Sequence, residues 1–277
     1  MILKTALLTA LLSLSVIAEE EKPPQAPIFK DKNLEAAVRY FVLEKRNSEE
    51  PLTKSDLVNL STIEAKNRDI KDLSGLELCE NLASLDLADN EIADLGPIKN
   101  LTKIQYLNVA NNRIGDLTPL EGLTALQYIE LSHNRVKSLR SLSGLTNMAS
   151  LYLFHNRVTD IYPLLGMHKL SSLYLDNNRV KDISGIGKLR FLSTLSLKNN
   201  QISDITPLNG LTGLYYLFLE NNEIHDLTPL IEMAKADAEG EKRFAPFLKL
   251  YVNGNPLSFQ KKRDQTEQLK GFGVRVN

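Results

Sequence analysis

Two histidines and one cysteine are the side chains in this 277-residue sequence with the greatest potential for chemistry. His133 and His155 lie 22 residues apart, and two neighbouring imidazoles could bind a metal ion or titrate at about pH 6. Glu130 and Asp176 are the candidates for a third ligand; the alternative is a solvated pair without metal. Cys79 occupies an apolar position of the repeat described below, which predicts a small buried hydrophobe.

Other catalytic signatures are missing from the sequence. It contains no glycine-rich phosphate loop, no nucleophile elbow and no Cys/His cluster with metal-ligand spacing. One cysteine and four histidines exclude a disulfide scaffold and a cysteine-rich zinc module. The acidic run 237–241 lacks the spacing of a calcium loop and is interpreted as solvated. We therefore predict no enzyme activity, no catalytic residue, no metal site and no cofactor.

The overall charge argues against one class of partner. Thirty-three Lys and Arg residues balance 34 Asp and Glu residues, for a net charge of -1. A nucleic-acid-binding protein relies on neutralising phosphates and is usually basic. With 43% hydrophobic and 24% charged residues, the chain can bury a core and does not have the composition of a disordered tail.

Residues 1–18 have the composition of a secretory signal peptide. A short start with one basic residue, Lys4, precedes an apolar stretch over 5–18, and an acidic, proline-containing segment follows. The apolar stretch is shorter than the ~20 residues that span a bilayer, although an uncleaved membrane anchor is the alternative. We expect cleavage after Ala18, a linker over 19–27, and a secreted or periplasmic, monomeric protein without membrane insertion.

An asparagine recurs every 22 residues through most of the chain. Apolar residues lie five and three positions before it, as Leu85 and Leu87 do before Asn90, and others follow at +2, +5, +8 and +11. A fixed period of this length indicates stacked repeats that bury their apolar faces against one another. Because an amide can satisfy backbone groups that lack sheet partners, the column is predicted to be structural. It comprises Asn90, Asn112, Asn134, Asn156, Asn178, Asn200 and Asn222.

The amino-acid sequence of the repeat resembles that of one bacterial protein family. The segments 112–120 (NRIGDLTPL) and 200–208 (NQISDITPL) are similar to the 22-residue leucine-rich repeats of bacterial internalins, and the resemblance extends over residues 28–277. It implies an α/β repeat fold: a right-handed solenoid with a concave parallel sheet, convex loops and short helical turns, and helical caps at both ends. It also implies protein ligands. A regulatory subunit of a cytosolic protein phosphatase has similar repeats, but the signal peptide argues against that role.

The bounds of the caps and of the repeat region follow from the positions at which the repeat pattern begins and becomes irregular. Residues 28–59 are predicted to form a helical N-terminal cap, and 60–244 the repeats, the last with a nine-residue insertion in a charged stretch. Residues 245–277 would hold a final repeat, aligned on Leu248, Leu250 and Asn253, and a C-terminal cap.

Two charged columns accompany the asparagines. Asp residues at positions 94, 116, 160, 182, 204 and 226 precede short turns, often with proline, and are expected to cap free backbone N–H groups. Arg113, Arg135, Arg157 and Arg179 repeat just after the asparagines. Four like charges so close together repel one another. Either the aspartates neutralise them or an acidic partner binds along this edge.

The outward side of the sheet is the candidate binding surface. Aromatic residues there form two clusters, separated by a small polar saddle at Ser193, Thr194 and Ser196. Aromatic residues also suit strands for purely structural reasons, yet clusters of exposed rings are typical of interfaces. We predict a partner-protein site; the alternative is glycan binding, with rings stacked on sugars and Asp86, Asn108, Glu130 and Asp176 bonding hydroxyls. The N-terminal cluster is Tyr106, Tyr128, Tyr152, Phe154 and Tyr174, and the C-terminal cluster is Tyr216, Phe218, Phe247 and Tyr251.

Overall fold

Ten short strands form one parallel sheet in a computed structural model of the protein, which describes residues 27–277. Each strand pairs with the next along the chain, so the described residues build a solenoid with a concave sheet, as predicted. The predicted signal peptide and nearly all of the linker lie outside the described residues. The strands are β1 (Thr62–Glu64), β2 (Ser84–Asp86), β3 (Tyr106–Asn108), β4 (Tyr128–Glu130), β5 (Ser150–Tyr152), β6 (Ser172–Tyr174), β7 (Thr194–Ser196), β8 (Tyr216–Phe218), β9 (Lys249–Tyr251) and β10 (Arg275–Val276).

Short 3-10 turns return the chain on the side opposite the sheet. Each begins about ten residues after a strand, and several carry proline in their first positions, where a missing N–H costs no hydrogen bond. They span Leu76–Leu78, Gly96–Ile98, Thr118–Leu120, Arg140–Leu142, Tyr162–Leu164, Ile186–Lys188 and Thr206–Leu208. Leucine and isoleucine side chains between turns and strands fill one continuous core. Cys79 is buried in it, as expected, and burial raises the pKa of its thiol to about 12.

The asparagine side chains of the column close the turns that follow β2 to β8. The Asn156 amide nitrogen donates to the carbonyls of Leu131, Leu153 and Phe154 at 2.9, 3.3 and 3.2 Å. Its Oδ1 accepts the Val136 N–H at 2.9 Å. The side chain is buried, so these bonds replace partners that the backbone would otherwise lack. The other asparagines of the column make the same set.

The aspartates before the turns accept hydrogen bonds from the backbone two residues on, as the capping interpretation requires. Asp116 accepts the Thr118 N–H at 2.9 Å and the Thr118 hydroxyl at 2.6 Å. Both bonds favour the ionised carboxylate, and they hold the pKa of Asp116 below its usual value. Ser138 interrupts the column, and its hydroxyl accepts the Arg140 N–H at 3.3 Å.

Helix α1 (Lys32–Phe41) covers the first repeat. Asp31 caps it by accepting the N–H groups of Asn33 and Leu34. Its buried residues, Leu34, Ala37 and Val38, repeat at helical spacing on one face. Helix α2 (Lys54–Leu57) follows, and the Asp56 carboxylate accepts the N–H of Thr53 at 2.6 Å.

Helix α3 (Thr228–Glu239) occupies the inserted segment, beginning where other repeats have a 3-10 turn. The interpretation of 237–241 as a solvated charge run was wrong for its first residue. Asp237 is buried and accepts the N–H groups of Arg243, Phe244 and Ala245 at 2.9, 3.0 and 2.9 Å. Its carboxylate therefore fixes the return of the insertion to the sheet.

The final repeat is shifted by two residues from the predicted alignment. In β9, Leu250 rather than Leu248 pairs with Leu217 of β8. Asn255 rather than Asn253 takes the place in the asparagine column, because its Oδ1 accepts the Ile224 N–H at 3.1 Å. Asn255 lies 33 residues after Asn222, so the insertion has eleven residues and not nine. Helix α4 (Phe259–Gly271) and β10 close the array.

Candidate partner-binding face

The alternation of side chains in each strand creates the concave face. Leu107 of β3 is fully buried, while Tyr106 and Asn108 on either side of it point out of the sheet. Parallel pairing without a register slip places equivalent residues of successive repeats side by side, so Tyr106 lies next to Tyr128. Similar side chains in successive repeats therefore form continuous rows on this face.

The N-terminal cluster is a row of stacked rings. The centroids of Tyr106 and Tyr128 are 4.6 Å apart, with an angle of 13° between the planes. Tyr152 continues the row, 5.3 Å from Tyr128 and 4.9 Å from Tyr174. Phe154 packs 5.1 Å from Tyr174. All five predicted residues thus meet in one half-buried aromatic surface on β3 to β6 and the residues that directly follow them.

Carboxylates surround this cluster. Burial and the nearby Asp86 raise the pKa of Tyr106, and burial and Glu130 raise the pKa of Tyr128. Glu64 contributes to the same effect on Tyr106. Since the tyrosines stay neutral, the net charge of this region is negative. The surface therefore offers apolar ring area next to acidic groups, a combination that complements basic and apolar side chains.

The C-terminal cluster is smaller than predicted. Phe218 lies 4.6 Å from Tyr251 and 6.1 Å from Tyr216, in near-parallel stacking. Phe247, which was expected to belong to this cluster, lies before β9 because of the two-residue shift. Its ring is 6.0 Å from Tyr215 and is 50% exposed. Phe247 and Tyr215 therefore form a separate pair, which the sequence pattern did not reveal.

A cavity of about 280 Å³ lies between the two clusters, next to the predicted polar saddle. Phe154 and Tyr174 of the N-terminal cluster and Phe218 of the C-terminal cluster line it, together with Asp176 and Ser196. Ser193 and Thr194 do not line it. The recess thus has aromatic walls and a polar base, and Ser196 is the residue that it shares with the predicted saddle.

Asp176 is the buried charge of this recess, with only 5% of its surface exposed. Its carboxylate accepts the Lys198 N–H at 2.8 Å and the Ser196 hydroxyl. Burial outweighs these bonds and raises the pKa of Asp176 above its usual value. The sequence placed Asp176 on the outward face but gave no sign that it would be buried, because burial depends on side chains of neighbouring repeats.

Lys198 and Glu220 form an ion pair at the edge of the recess. The Lys198 Nζ lies 3.0 Å from Glu220 Oε1 and 4.7 Å from the centroid of the Phe218 ring. Glu220 Oε2 is buried and has no hydrogen-bond partner among residues 27–277. A buried acceptor without a donor is unfavourable.

His133 and His155 stack with their ring centroids 4.3 Å apart. His155 also lies within hydrogen-bonding distance of Asn177, 3.2 Å from Nε2 to Nδ2. Within the described part of the chain, no group of three or more His, Cys, Asp or Glu residues is placed to hold a metal ion. The pair belongs to an edge column of left-handed residues, including Asn111 and Asn199, where Asn, Asp and His are tolerated.

Most arginines of the column lack an ion-pair partner among residues 27–277, although the aspartate column was one candidate to neutralise them. Arg113 pairs with Glu91 at 2.7 Å. Arg135, Arg157 and Arg179 make no ion pair with any other residue from 27 to 277. The aspartates accept bonds from the backbone and form no direct ion pair with these arginines among residues 27–277. No helix in that range is long and apolar enough to cross a membrane.

The comparisons with known proteins agree with this geometry. A family described as Leucine Rich repeats (2 copies) matches residues 80–122, 146–188 and 190–232, and a second, Leucine rich repeat, matches 115–158. A search of curated proteins finds no match. Internalin C2 from Listeria monocytogenes is 32% identical over 83% of this chain and 95% of its own, with a TM-score of 0.71.

Two other solved structures share the fold at lower identity. A second Listeria monocytogenes internalin, InlF, is 23% identical, with 90% of this chain and 88% of its own covered and a TM-score of 0.51. A plant peptide hormone receptor, RGFR1, solved in complex with RGF2, is 22% identical, with 74% and 34% covered and a TM-score of 0.61. From the repeats and the likeness to internalin C2, the chain belongs to the internalin-like leucine-rich-repeat proteins of bacteria.

Proposed function

We propose that the protein is a secreted or periplasmic, non-catalytic recognition module that binds a partner protein on its concave face. The observation that carries the proposal is the pair of aromatic clusters that flank a recess with a buried carboxylate. Tyrosine and phenylalanine are typical anchors of protein interfaces, where they fill or line desolvated pockets. Stacked repeats commonly use such a concave surface for binding.

The charges of the face favour a basic segment of the partner. Glu64, Asp86 and Glu130 point outward from β1, β2 and β4, and Asp176 and Glu220 hold carboxylate oxygens at the recess. Lys198 and Lys249 are the basic side chains that cover rings of the C-terminal cluster. A lysine or arginine of the partner would find aromatic rings beside carboxylates on this face, and cations are attracted to both.

The extracytoplasmic location rests on the sequence of residues 1–18 alone. A short basic start, an apolar core and a polar continuation are the order of a cleaved signal peptide. Partners in the cell envelope or the medium are therefore the ones to search.

Affinity capture from the envelope and medium of the source organism tests the function. The bait is the chain from Glu19, compared with a concave-face variant, Tyr152→Ala/Tyr174→Ala/Phe218→Ala. The matched control, Tyr40→Ala/Phe191→Ala/Phe259→Ala, removes three exposed rings that lie away from the concave face. We expect a protein that the wild type and the control retain and the concave-face variant loses.

The same experiment separates the glycan alternative. Retention of a polysaccharide that free sugar displaces, and that added salt does not weaken, would favour glycan binding by the same rings. Equal retention of the same proteins by all three baits would contradict a role for the concave face.

A further inference from the structure

A cavity of about 870 Å³ lies on the side of the solenoid away from the concave sheet. It is bounded by the turns of three successive repeats, so no single repeat could form it. Four basic side chains line it: Lys137, Arg140, His168 and Lys188. The volume is within the range of small-molecule sites, roughly 300 to 1,000 Å³. We call it the basic cavity.

The basic cavity coincides with the interruption of the aspartate column. Ser138 stands where the other repeats carry a capping aspartate, and two basic residues, Lys137 and Arg140, flank it in sequence. Asp160 is an acidic residue of the lining, but its carboxylate accepts the Tyr162 N–H at 2.8 Å. Among residues 27–277, the four basic side chains make no ion pair. Lys137, Arg140 and Lys188 outnumber Asp160 in the lining, so the cavity carries a net positive charge.

Neutral and apolar groups complete the lining. The ring of Tyr162 is 74% exposed although it borders the cavity. Leu139, Leu165 and Pro163 add apolar surface, and Ser143 and Thr159 add hydroxyl groups. A simple inorganic anion would leave most of this volume and the aromatic surface unused. A larger ligand that combines anionic groups with a ring-sized organic body would use both.

We propose that the basic cavity is a binding site for a ring-sized organic phosphate or sulfate ester, such as a phosphorylated or sulfated sugar. Arg140 is suited to bind an anionic ester oxygen through two parallel hydrogen bonds, while Lys137 and Lys188 supply point charges around it. The Tyr162 ring packs against the face of the ligand ring. The site is independent of the proposed partner-binding function on the concave face.

Calorimetric titration with inositol hexakisphosphate tests the site, since this probe joins phosphate esters to a six-membered ring. The variant Arg140→Gln/Lys188→Gln removes two charges from the cavity. Its matched control, Lys99→Gln/Lys235→Gln, removes two charges from exposed positions outside it. We expect the cavity variant to bind about tenfold or more weakly than wild type, and the control within about twofold, because charge-assisted bonds are lost only in the former.

Two further probes define the chemical class. Neutral myo-inositol is expected not to bind, and inorganic phosphate to bind about tenfold or more weakly than the hexakisphosphate. Tyr162→Ala is expected to weaken the binding of the hexakisphosphate and to leave the binding of inorganic phosphate unchanged. An equal loss of affinity in the cavity variant and the control, or no binding to wild type, would overturn the proposal.

Discussion

One buried amide in each repeat decides whether the turn after the strand is stable. The Asn156 side chain bonds three carbonyls and one N–H group, and three of these four hydrogen bonds are buried. The residue type was predictable from the 22-residue spacing, because few side chains both donate and accept. The partners themselves could be named only from the structure.

We expect Asn156→Ala to lower the free energy of unfolding by about 1–3 kcal/mol, because it orphans buried backbone groups. Chemical denaturation measures the change. Asn209→Ala is the matched control, since the Asn209 side chain is exposed and makes no hydrogen bond with another residue from 27 to 277. A change in Asn156→Ala no greater than that of Asn209→Ala would contradict the structural role of the column.

A second prediction concerns the stacked imidazoles and pH. Burial, and then the neighbouring His133, lower the pKa of His155 from its ordinary value of 6.5, with Asp176 opposing. The folded state therefore binds the proton more weakly than the unfolded state. The stability that His155 contributes is complete above pH 6.5 and is lost as the pH falls from there toward the folded pKa.

His155→Asn removes this titration and keeps a residue that tolerates the left-handed backbone at φ 51°. We expect wild type and variant to have similar melting temperatures at about pH 7.5, and wild type to lose more stability by about pH 5.5. His168→Asn, outside the edge column, controls for the loss of a histidine. Parallel pH profiles of wild type and His155→Asn would show that His155 does not titrate as described.

At the scale of elements, the sequence predicted the strands, the turns and the first cap well and the final repeat incorrectly. Leu248, Leu250 and Val252 alternate, so a shift of two residues still turns apolar side chains inward. Periodicity cannot distinguish the two registers. The hydrogen bonds of Asn255 decide between them, and these depend on where α3 returns the chain to the sheet.

Asn255→Ala and Asn253→Ala form a matched pair that tests this register. Asn255 Nδ2 donates to Leu219 and Val252 at 2.8 and 2.9 Å, so its loss should cost about 1–3 kcal/mol. Among residues 27–277, the Asn253 side chain bonds only the Lys262 Nζ, in an exposed contact, and its loss should cost no more than about 0.5 kcal/mol. If denaturant titrations showed that Asn253→Ala is less stable than Asn255→Ala, the alignment on Asn253 predicted from the sequence would be the correct one.

Across the whole molecule, the two sides of the solenoid differ in chemistry. The concave side combines rings with carboxylates, and the opposite side collects lysine and arginine around the basic cavity. Eight of the nine aromatic residues predicted from the sequence periodicity lie in the two clusters of the concave face, because parallel stacking repeats each position. The recess at Asp176 and the free oxygen of Glu220 could not be predicted, since their burial depends on the packing between repeats.

The measurement that tests the central claim most directly is the dissociation constant of the captured partner. It is determined for wild type, for Tyr152→Ala/Tyr174→Ala/Phe218→Ala and for the control Tyr40→Ala/Phe191→Ala/Phe259→Ala, all with equal melting temperatures. Loss of interface anchors costs about 2 kcal/mol or more, so we predict binding about 30-fold or more weaker for the concave-face variant. The control should bind like wild type. Equal affinities of all three proteins would contradict recognition through the concave aromatic face.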